Sequence, residues 1–245
     1  MSGLVFVGTS DAFGAGGRRQ SAILLRAASG TALVDCGATT NSGLVQLGIE
    51  RSEIDAILIS HFHADHFAGI PVFLLAAQFE DNRTRPLVIA GPTGIEQRVR
   101  QLAEAMGHPL DDREVEFEVS YQELDTGRAT AIGPVSARAF ETHHDPMSCP
   151  HGLIIEAGNR RIAYSGDTGW FDRLPHLVAG CDVFICECTL HKPAYEYHLD
   201  LETLDAKRDQ FDCGRMLLTH LGAEMSNRRG KLEIETADDG LAVDL

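Results

Sequence analysis

The chain has 245 residues and carries 21 Lys+Arg against 36 Asp+Glu, a formal net charge of −15 with histidine neutral; 44% of residues are hydrophobic and 23% charged. That apolar fraction excludes intrinsic disorder, and the longest apolar run, Ile70 to Ala77, has 8 residues where a membrane-spanning helix needs about 20. The acidic balance also speaks against a protein that grips nucleic acid through Lys and Arg spread over its surface.

In chain order the sequence alternates strands and helices. Leu4 to Gly8 predicts a short strand that runs into a Gly-rich loop, Gly8 to Gly17. Ala22 to Leu25 and Ala32 to Asp35 predict a hairpin turning at Ser29-Gly30. Ser42 to Leu47 predicts a short helix stopped by Gly48. Ala56 to Ser60 is a continuous apolar run of strand length, the pattern of a strand buried on both faces. Gly69 to Phe79 predicts a helix, with Pro71 in its first turn. Leu87 to Ala90 predicts a strand. Ile95, Val99, Leu102, Ala103 and Met106 recur at helical spacing and predict an amphipathic helix from Gly94 to Met106. Glu114 to Tyr164 is strand-rich, with Val135 to Phe140, Leu153 to Glu156 and Arg161 to Tyr164 its clearest members. Strands at Val183 to Cys188 and Met216 to Thr219 flank a helix from Leu201 to Gln210. With no linker, internal repeat or low-complexity tract, the chain reads as one α/β domain spanning residues 1–245.

Six cysteines in a chain of this size, without a basic n-region and long apolar stretch at its start, imply reduced thiols in a cytoplasmic protein. Cys186 and Cys188 alternate along a strand and read as buried packing residues. The eleven histidines carry more information, because three fall within six residues and two are adjacent. The run His61-Phe62-His63-Ala64-Asp65-His66 follows a strand directly. Imidazole and carboxylate suit Zn²⁺, Mn²⁺ or Fe²⁺. Four potential ligands in six residues exceed the three that one tetrahedral catalytic ion takes beside its water, which points to two metals.

These residues resemble the metallo-β-lactamase-fold hydrolase superfamily, through His61-x-His63-x-Asp65-His66, Asp35-Cys36-Gly37, Thr142-His143-His144-Asp145, Ser165-Gly166-Asp167-Thr168 and Thr219-His220 in order along the chain. The resemblance implies a four-layer αββα sandwich and two divalent ions, zinc first, with manganese or iron as alternatives. By the same resemblance His61, His63 and His144 bind the first ion, Asp65, His66 and His220 the second, and Asp167 bridges them. His143 competes with His144; the spacing Phe140-x-Thr142-x-His144-Asp145 favours His144. Two ions sharing a water lower its pKa from 15.7 to roughly 7 and supply hydroxide at neutral pH. Asp65 could orient that nucleophile or pass its proton.

Within the superfamily the chain resembles the phosphodiesterase branch typified by ribonuclease Z, through Gly91-Pro92-Thr93-Gly94, Ile185-Cys186-Glu187-Cys188-Thr189 and the absence of a ligand cysteine. There Glu187 would support His198 as the general acid, although Leu199-Asp200 follows His198 where that branch has Ser-Thr. The branch's arm for clamping transfer RNA is commonly inserted between the third histidine and the bridging aspartate, and here His144 and Asp167 are 23 residues apart (167 − 144). A small or single-stranded phosphodiester is therefore the expected substrate, folded transfer RNA is not expected, and a homodimer is implied by resemblance alone. The rival readings are a lactonase or thioesterase using the same metals and a non-catalytic binding member of the fold. The Gly-rich loop reads as a pocket rim or a phosphate cradle, and Arg18 or Arg19 as a contact for an anionic substrate.

Overall fold

The computed structural model describes residues 2–110 and 116–245; Met1 and the first two residues of the strand-rich stretch, Glu114 and Val115, lie outside them. The first sheet is built from β1 (Gly3–Gly8), β2 (Ala22–Ala27), β3 (Gly30–Val34), β4 (Ile54–Leu58), β5 (Leu87–Gly91) and β6 (Val119–Glu123). The second runs from β7 (Ala129–Ile132) through β8 (Val135–Glu141), β9 (His151–Ala157), β10 (Arg160–Tyr164), β11 (Cys181–Glu187) and β12 (Cys213–Thr219) to the short β13 (Glu235–Thr236). The last strand, β14 (Ala242–Asp244), returns to the first sheet beside β1.

Each sheet opens with antiparallel pairs and ends with three parallel ones: β3/β4, β4/β5 and β5/β6 in the first, β10/β11, β11/β12 and β12/β13 in the second. The two halves thus share one backbone plan although the sequence shows no repeat.

Side-chain alternation sorts the buried residues into three layers. Ala56 and Leu58 point between the sheets, where they meet Ala139, Leu153, Ile155, Tyr164 and Ile185. Their neighbours Ile57 and Ile59 point outward. There they pack under the helices α1 (Thr40–Gln46), α3 (Ile70–Phe79) and α4 (Ile95–Ala105), between the first two of which lies the one-turn helix α2 (Ala64–Phe67). The outer face of the second sheet packs Ile154, Phe184, Cys186 and Leu218 against α5 (Leu174–Val178), α6 (Leu201–Lys207) and α7 (Ala223–Ser226). This is the expected αββα order, and Cys186 and Cys188 are packing thiols within it. No helix among the described residues is long and apolar enough to cross a membrane.

Several boundaries differ from the sequence reading. The strand predicted over Ala56–Ser60 is Ile54–Leu58, because the Ser60 amide is diverted from the ladder to Asp35 Oδ1 at 2.8 Å. Asp65 and His66 sit on the one-turn helix α2, for which the sequence reading had no element. The helix predicted over Leu201–Gln210 ends at Lys207 and tightens into a 3₁₀ turn at Arg208–Gln210; its start is capped by Asp200, which accepts the Thr203 amide at 2.8 Å.

Leu33 is fully buried on the helix-facing side of the first sheet, whereas Val45 is 62% exposed. Leu33→Ala should lower the free energy of unfolding by about 2–5 kcal/mol, and Val45→Ala should change it by less than about 0.5 kcal/mol, both read from urea denaturation.

Candidate metal centre

Strand direction gathers the site. β8 is antiparallel to β9, which is antiparallel to β10, so β8 runs the same way as β10, β11 and β12. Their carboxyl ends deliver His144, Asp167, Thr189 and His220 to one edge, and the segment after β4 delivers His61, His63 and α2. Carboxyl ends of parallel strands are where α/β sheets form binding crevices. Two turns there have left-handed backbone at side-chain-bearing positions, Asp35 (φ 61°) and His220 (φ 53°), which is uncommon outside functional or tight-turn positions. Gly166 (φ 58°) precedes Asp167, and a Cβ there would stand 2.4 Å from the His151 carbonyl oxygen.

Two clusters result, each with its donor atoms within 4.8 Å of one another: His61, His63, His144 and Asp167, and Asp65, His66, Asp167 and His220. Asp167 belongs to both. Its Oδ2 lies 3.8 Å from His61 Nε2, 3.9 Å from His144 Nε2 and 3.4 Å from His220 Nε2, while its Oδ1 lies 3.4 Å from His66 Nε2. Asp65 Oδ2 is 3.2 Å from His66 Nε2 and 3.3 Å from His220 Nε2. His143 is not brought in: its ring is exposed and lies against Tyr197, with centroids 5.6 Å apart.

The surrounding hydrogen bonds decide which nitrogen of each ring faces inward. His66 Nδ1 donates to Asp35 Oδ2 at 2.7 Å. Ser60 Oγ donates to the same Oδ2 at 2.9 Å, so it must accept from His61 Nδ1 at 3.0 Å. His144 Nδ1 donates to the Tyr197 carbonyl at 2.9 Å. His220 Nδ1 donates to Thr189 Oγ1 at 2.8 Å, which passes its own hydrogen to Glu187 Oε2 at 2.8 Å. In all four rings the Nε2 lone pair therefore turns toward the carboxylates of Asp65 and Asp167. His66 Nε2 and Asp167 Oδ1 are buried without a hydrogen-bond partner. Lone pairs and carboxylates converging in a dry site repel one another unless a cation sits among them. The donor set fits divalent metal ions, and both clusters could hold one.

Electrostatics tell the same story. Burial opposes charge on His220, yet Asp167 and Asp65 outweigh it and hold its pKa up to about 9. Burial likewise opposes charge on His66, and Asp167, Asp65 and Asp35 overcome it. Burial and the neighbouring His66 push His61 well below the usual histidine range. The acidic pair thus seeks positive charge, and protons on His66 and His220 supply it when nothing else does.

A third group adjoins the second cluster. His198 Nδ1 is 2.9 Å from Glu187 Oε1, and the His198 ring lies 5.0 Å from that of His144 and stacks on that of His220 at 5.6 Å. Glu187 is fully buried and also receives the amides of Thr168 (2.7 Å) and Thr189 (3.2 Å). The Gly-rich loop contributes Asp11 to Phe13 to the groove beside His198, so it is a rim. Arg18 and Arg19 do not face the site. Arg18 pairs with Asp238 at 3.0 Å; Arg19 bonds the Val7 carbonyl at 2.7 Å and pairs with Asp239 at 3.5 Å.

Sequence reasoning missed the supporting groups. Tyr164, read only as the end of a strand, donates its hydroxyl to Asp35 at 2.9 Å across the two sheets. Thr189 joins His220 to Glu187, and its place two residues after Glu187 was the available signal.

A four-layer sandwich with paired histidine–aspartate clusters at its strand ends defines a metallo-β-lactamase-fold, metal-dependent hydrolase that resembles the ribonuclease Z-like branch. The chain belongs to the family of the anti-Pycsar protein Apyc1, whose model matches residues 2–237. It is similar to ribonuclease Z of Mycobacterium bovis (strain BCG / Pasteur 1173P2), with 25% identity over 237 residues covering 89% of this chain and 85% of that protein. Its backbone resembles the metallo-β-lactamase-fold protein YhfI of Bacillus subtilis (TM-score 0.78, 23% identity, 100% of both chains). It also resembles a diphosphatase from the PhnP family (TM-score 0.79, 16% identity, 100% of this chain and 98% of that one).

Asp35→Asn removes the carboxylate that orients His66 directly and His61 through Ser60. It should weaken binding of a divalent ion by about 10–100-fold, measured by competition with a chromophoric chelator.

Proposed function

We propose that the chain hydrolyses a small or short single-stranded phosphodiester at two divalent ions, zinc in the first place and manganese or iron as alternatives. His61, His63 and His144 would hold one ion, Asp65, His66 and His220 the other, and Asp167 would bridge. The observation that carries the phosphodiester assignment is the His198–Glu187 pair at 2.9 Å against both clusters. A phosphodiester must release an alkoxide, which needs a proton, and an imidazole held by a carboxylate is an effective donor.

Bound ions would supply Lewis acidity to the phosphoryl oxygens and make an attacking water acidic near neutral pH. The chain's own groups do the rest. Glu187 accepts His198 Nδ1–H, which leaves Nε2 as the position that carries the transferable proton. Burial opposes that proton, but the charge and hydrogen bond of Glu187 hold the His198 pKa above the usual histidine value. Asp65, between His66 and His220, can orient the attacking water and accept from it.

A small substrate is supported by the segment between His144 and Asp167, which is filled by the β9–β10 hairpin. No clamp for folded transfer RNA fits there. The names of the relatives, a ribonuclease Z and a diphosphatase, support phosphate chemistry.

Turnover of bis-p-nitrophenyl phosphate in Zn²⁺ or Mn²⁺ is expected; none there, with turnover of a lactone or thioester, would overturn the proposal. Leaving groups sharpen the test. p-Nitrophenolate departs without help, whereas a nucleoside alkoxide does not. His198→Ala should cost about 10²-fold or more in kcat on a dinucleotide and much less on the nitrophenyl ester. A carbonyl-ester hydrolase would lose little on either of its own substrates.

Glu187→Gln removes the negative charge that keeps His198 protonated. The acid form is then lost at lower pH, so the alkaline limb of the rate–pH profile for the dinucleotide should move down in pH. An unmoved limb would mean that Glu187 does not act through His198.

A further inference from the structure

The arginines of this acidic chain are almost all accounted for. Among the described residues most pair with a carboxylate, as Arg51 does with Asp81 at 2.8 Å and Arg215 with Glu235 at 2.6 Å. Arg83 instead bonds four backbone carbonyls, and Arg98 lies over the Phe62 ring at 5.3 Å. Among the described arginines three remain with no ion pair and no side-chain hydrogen bond: Arg138, Arg161 and Arg173. All three line one groove of about 790 Å³.

Register explains why they meet. Arg138 stands opposite Ile154 on β9, Ile154 opposite Ala163 on β10, and Ile154 and Ala163 face the outer helices. Period two then puts Arg138, Ile154 and Arg161 on the same outer face. Arg173 reaches the groove from the start of α5. Phe140 and Phe171 supply an aromatic wall. Glu141 and Glu156 border the groove region without pairing with any of the three guanidinium groups.

Two further atoms are left unsatisfied in residues that line this groove. Arg161 Nε and Thr142 Oγ1 are buried without a hydrogen-bond partner. In a chain with 36 acidic residues against 21 basic ones, three unpaired arginines lining one groove, with the unpartnered Thr142 hydroxyl and one of the three, Arg161, leaving its own Nε unpartnered, are the donor set of an anion site. Guanidinium forks match phosphate geometry, and a cavity of this size holds a nucleotide-sized ligand.

We infer that this groove binds a phosphate monoester carrying an aromatic base, a nucleoside monophosphate in class, with the phosphate on Arg138, Arg161 and Arg173 and the base against Phe171 and Phe140. The inference is independent of whether the metal centre cleaves phosphodiesters. The groove lies on the outer face of the second sheet, and its lining includes none of the residues of the two clusters.

Calorimetric titration of the metal-loaded protein with adenosine 5′-monophosphate and with inorganic phosphate tests it. Binding outside the metal centre is expected for the nucleotide. The triple substitution Arg138→Gln, Arg161→Gln and Arg173→Gln should weaken it by about 10²-fold or more, with circular dichroism and metal content unchanged. The corresponding triple lysine variant should bind measurably more weakly than the wild-type chain, because point charges lack the fork. Should the glutamine triple fail to fold, Arg173→Gln alone, at an exposed helix start, should still weaken binding several-fold. Nucleotide binding that survives in the folded glutamine triple would overturn the site. Equal binding by the lysine variant would reduce it to general charge attraction and overturn it too. Phosphate binding as tightly as the nucleotide would overturn the assignment of a base.

Discussion

The site depends on one buried carboxylate. Asp35 is fully buried at the end of β3 and accepts four hydrogen bonds: the Ser60 amide, the Ser60 hydroxyl, His66 Nδ1 and the Tyr164 hydroxyl. A buried carboxylate without such partners would cost several kcal/mol, so the fold must bring all of these donors to it. Tyr164 comes from the second sheet and the others from the first, which ties the two halves together at the edge where the clusters lie. The same bonds halt the β4 ladder at Leu58 and free the following residues to turn toward the metal-binding position.

Asp35 also sets protonation geometry at a distance. By taking the hydrogens of His66 Nδ1 and Ser60 Oγ it fixes one ring directly and that of His61 through an intermediate hydroxyl. Glu187 plays the matching part on the other side, through Thr189 to His220 and directly to His198. Two buried carboxylates thus orient most of the inward-facing imidazoles, and neither is itself a member of the two four-residue clusters. Ring orientation of this kind is cheap to lose and expensive to rebuild, since a rotated imidazole points a hydrogen where a lone pair is needed.

The local part of this arrangement was legible in the sequence. His61 to His66 is a run, and strand-length apolar segments announce the turns that carry Asp167 and His220. The choice of His144 over His143 came from the resemblance, through the spacing Phe140-x-Thr142-x-His144-Asp145. What could not be read depends on contacts between distant residues. Tyr164 and Asp35 are 129 positions apart, and nothing in an apolar strand distinguishes an aromatic that merely packs from one whose hydroxyl reaches a buried acid. The short helix under Asp65 and His66 was missed because four residues cannot show a helical period. Arg18 and Arg19 were misjudged for a related reason: their partners, Asp238 and Asp239, lie more than two hundred residues away.

The same consideration qualifies the net charge of −15. Charge summed along a sequence says nothing about where the opposite charges cancel. In this chain most arginines are neutralised by carboxylates, so the surplus acid is spread over the surface, while Asp35, Asp65, Asp167 and Glu187 are concentrated in the interior. Two divalent ions, in the proposed reading, would offset four of those negative charges in a low-dielectric setting where each counts most. An acidic molecule can then present a locally positive crevice to an anionic substrate. Field lines from the buried carboxylates end on the ions and the imidazoles, not on the approaching phosphate, and the outer acidic surface is screened over about 10 Å by salt. The overall charge therefore governs what the whole surface can hold, such as a long nucleic acid, and leaves the chemistry of the crevice to its own residues.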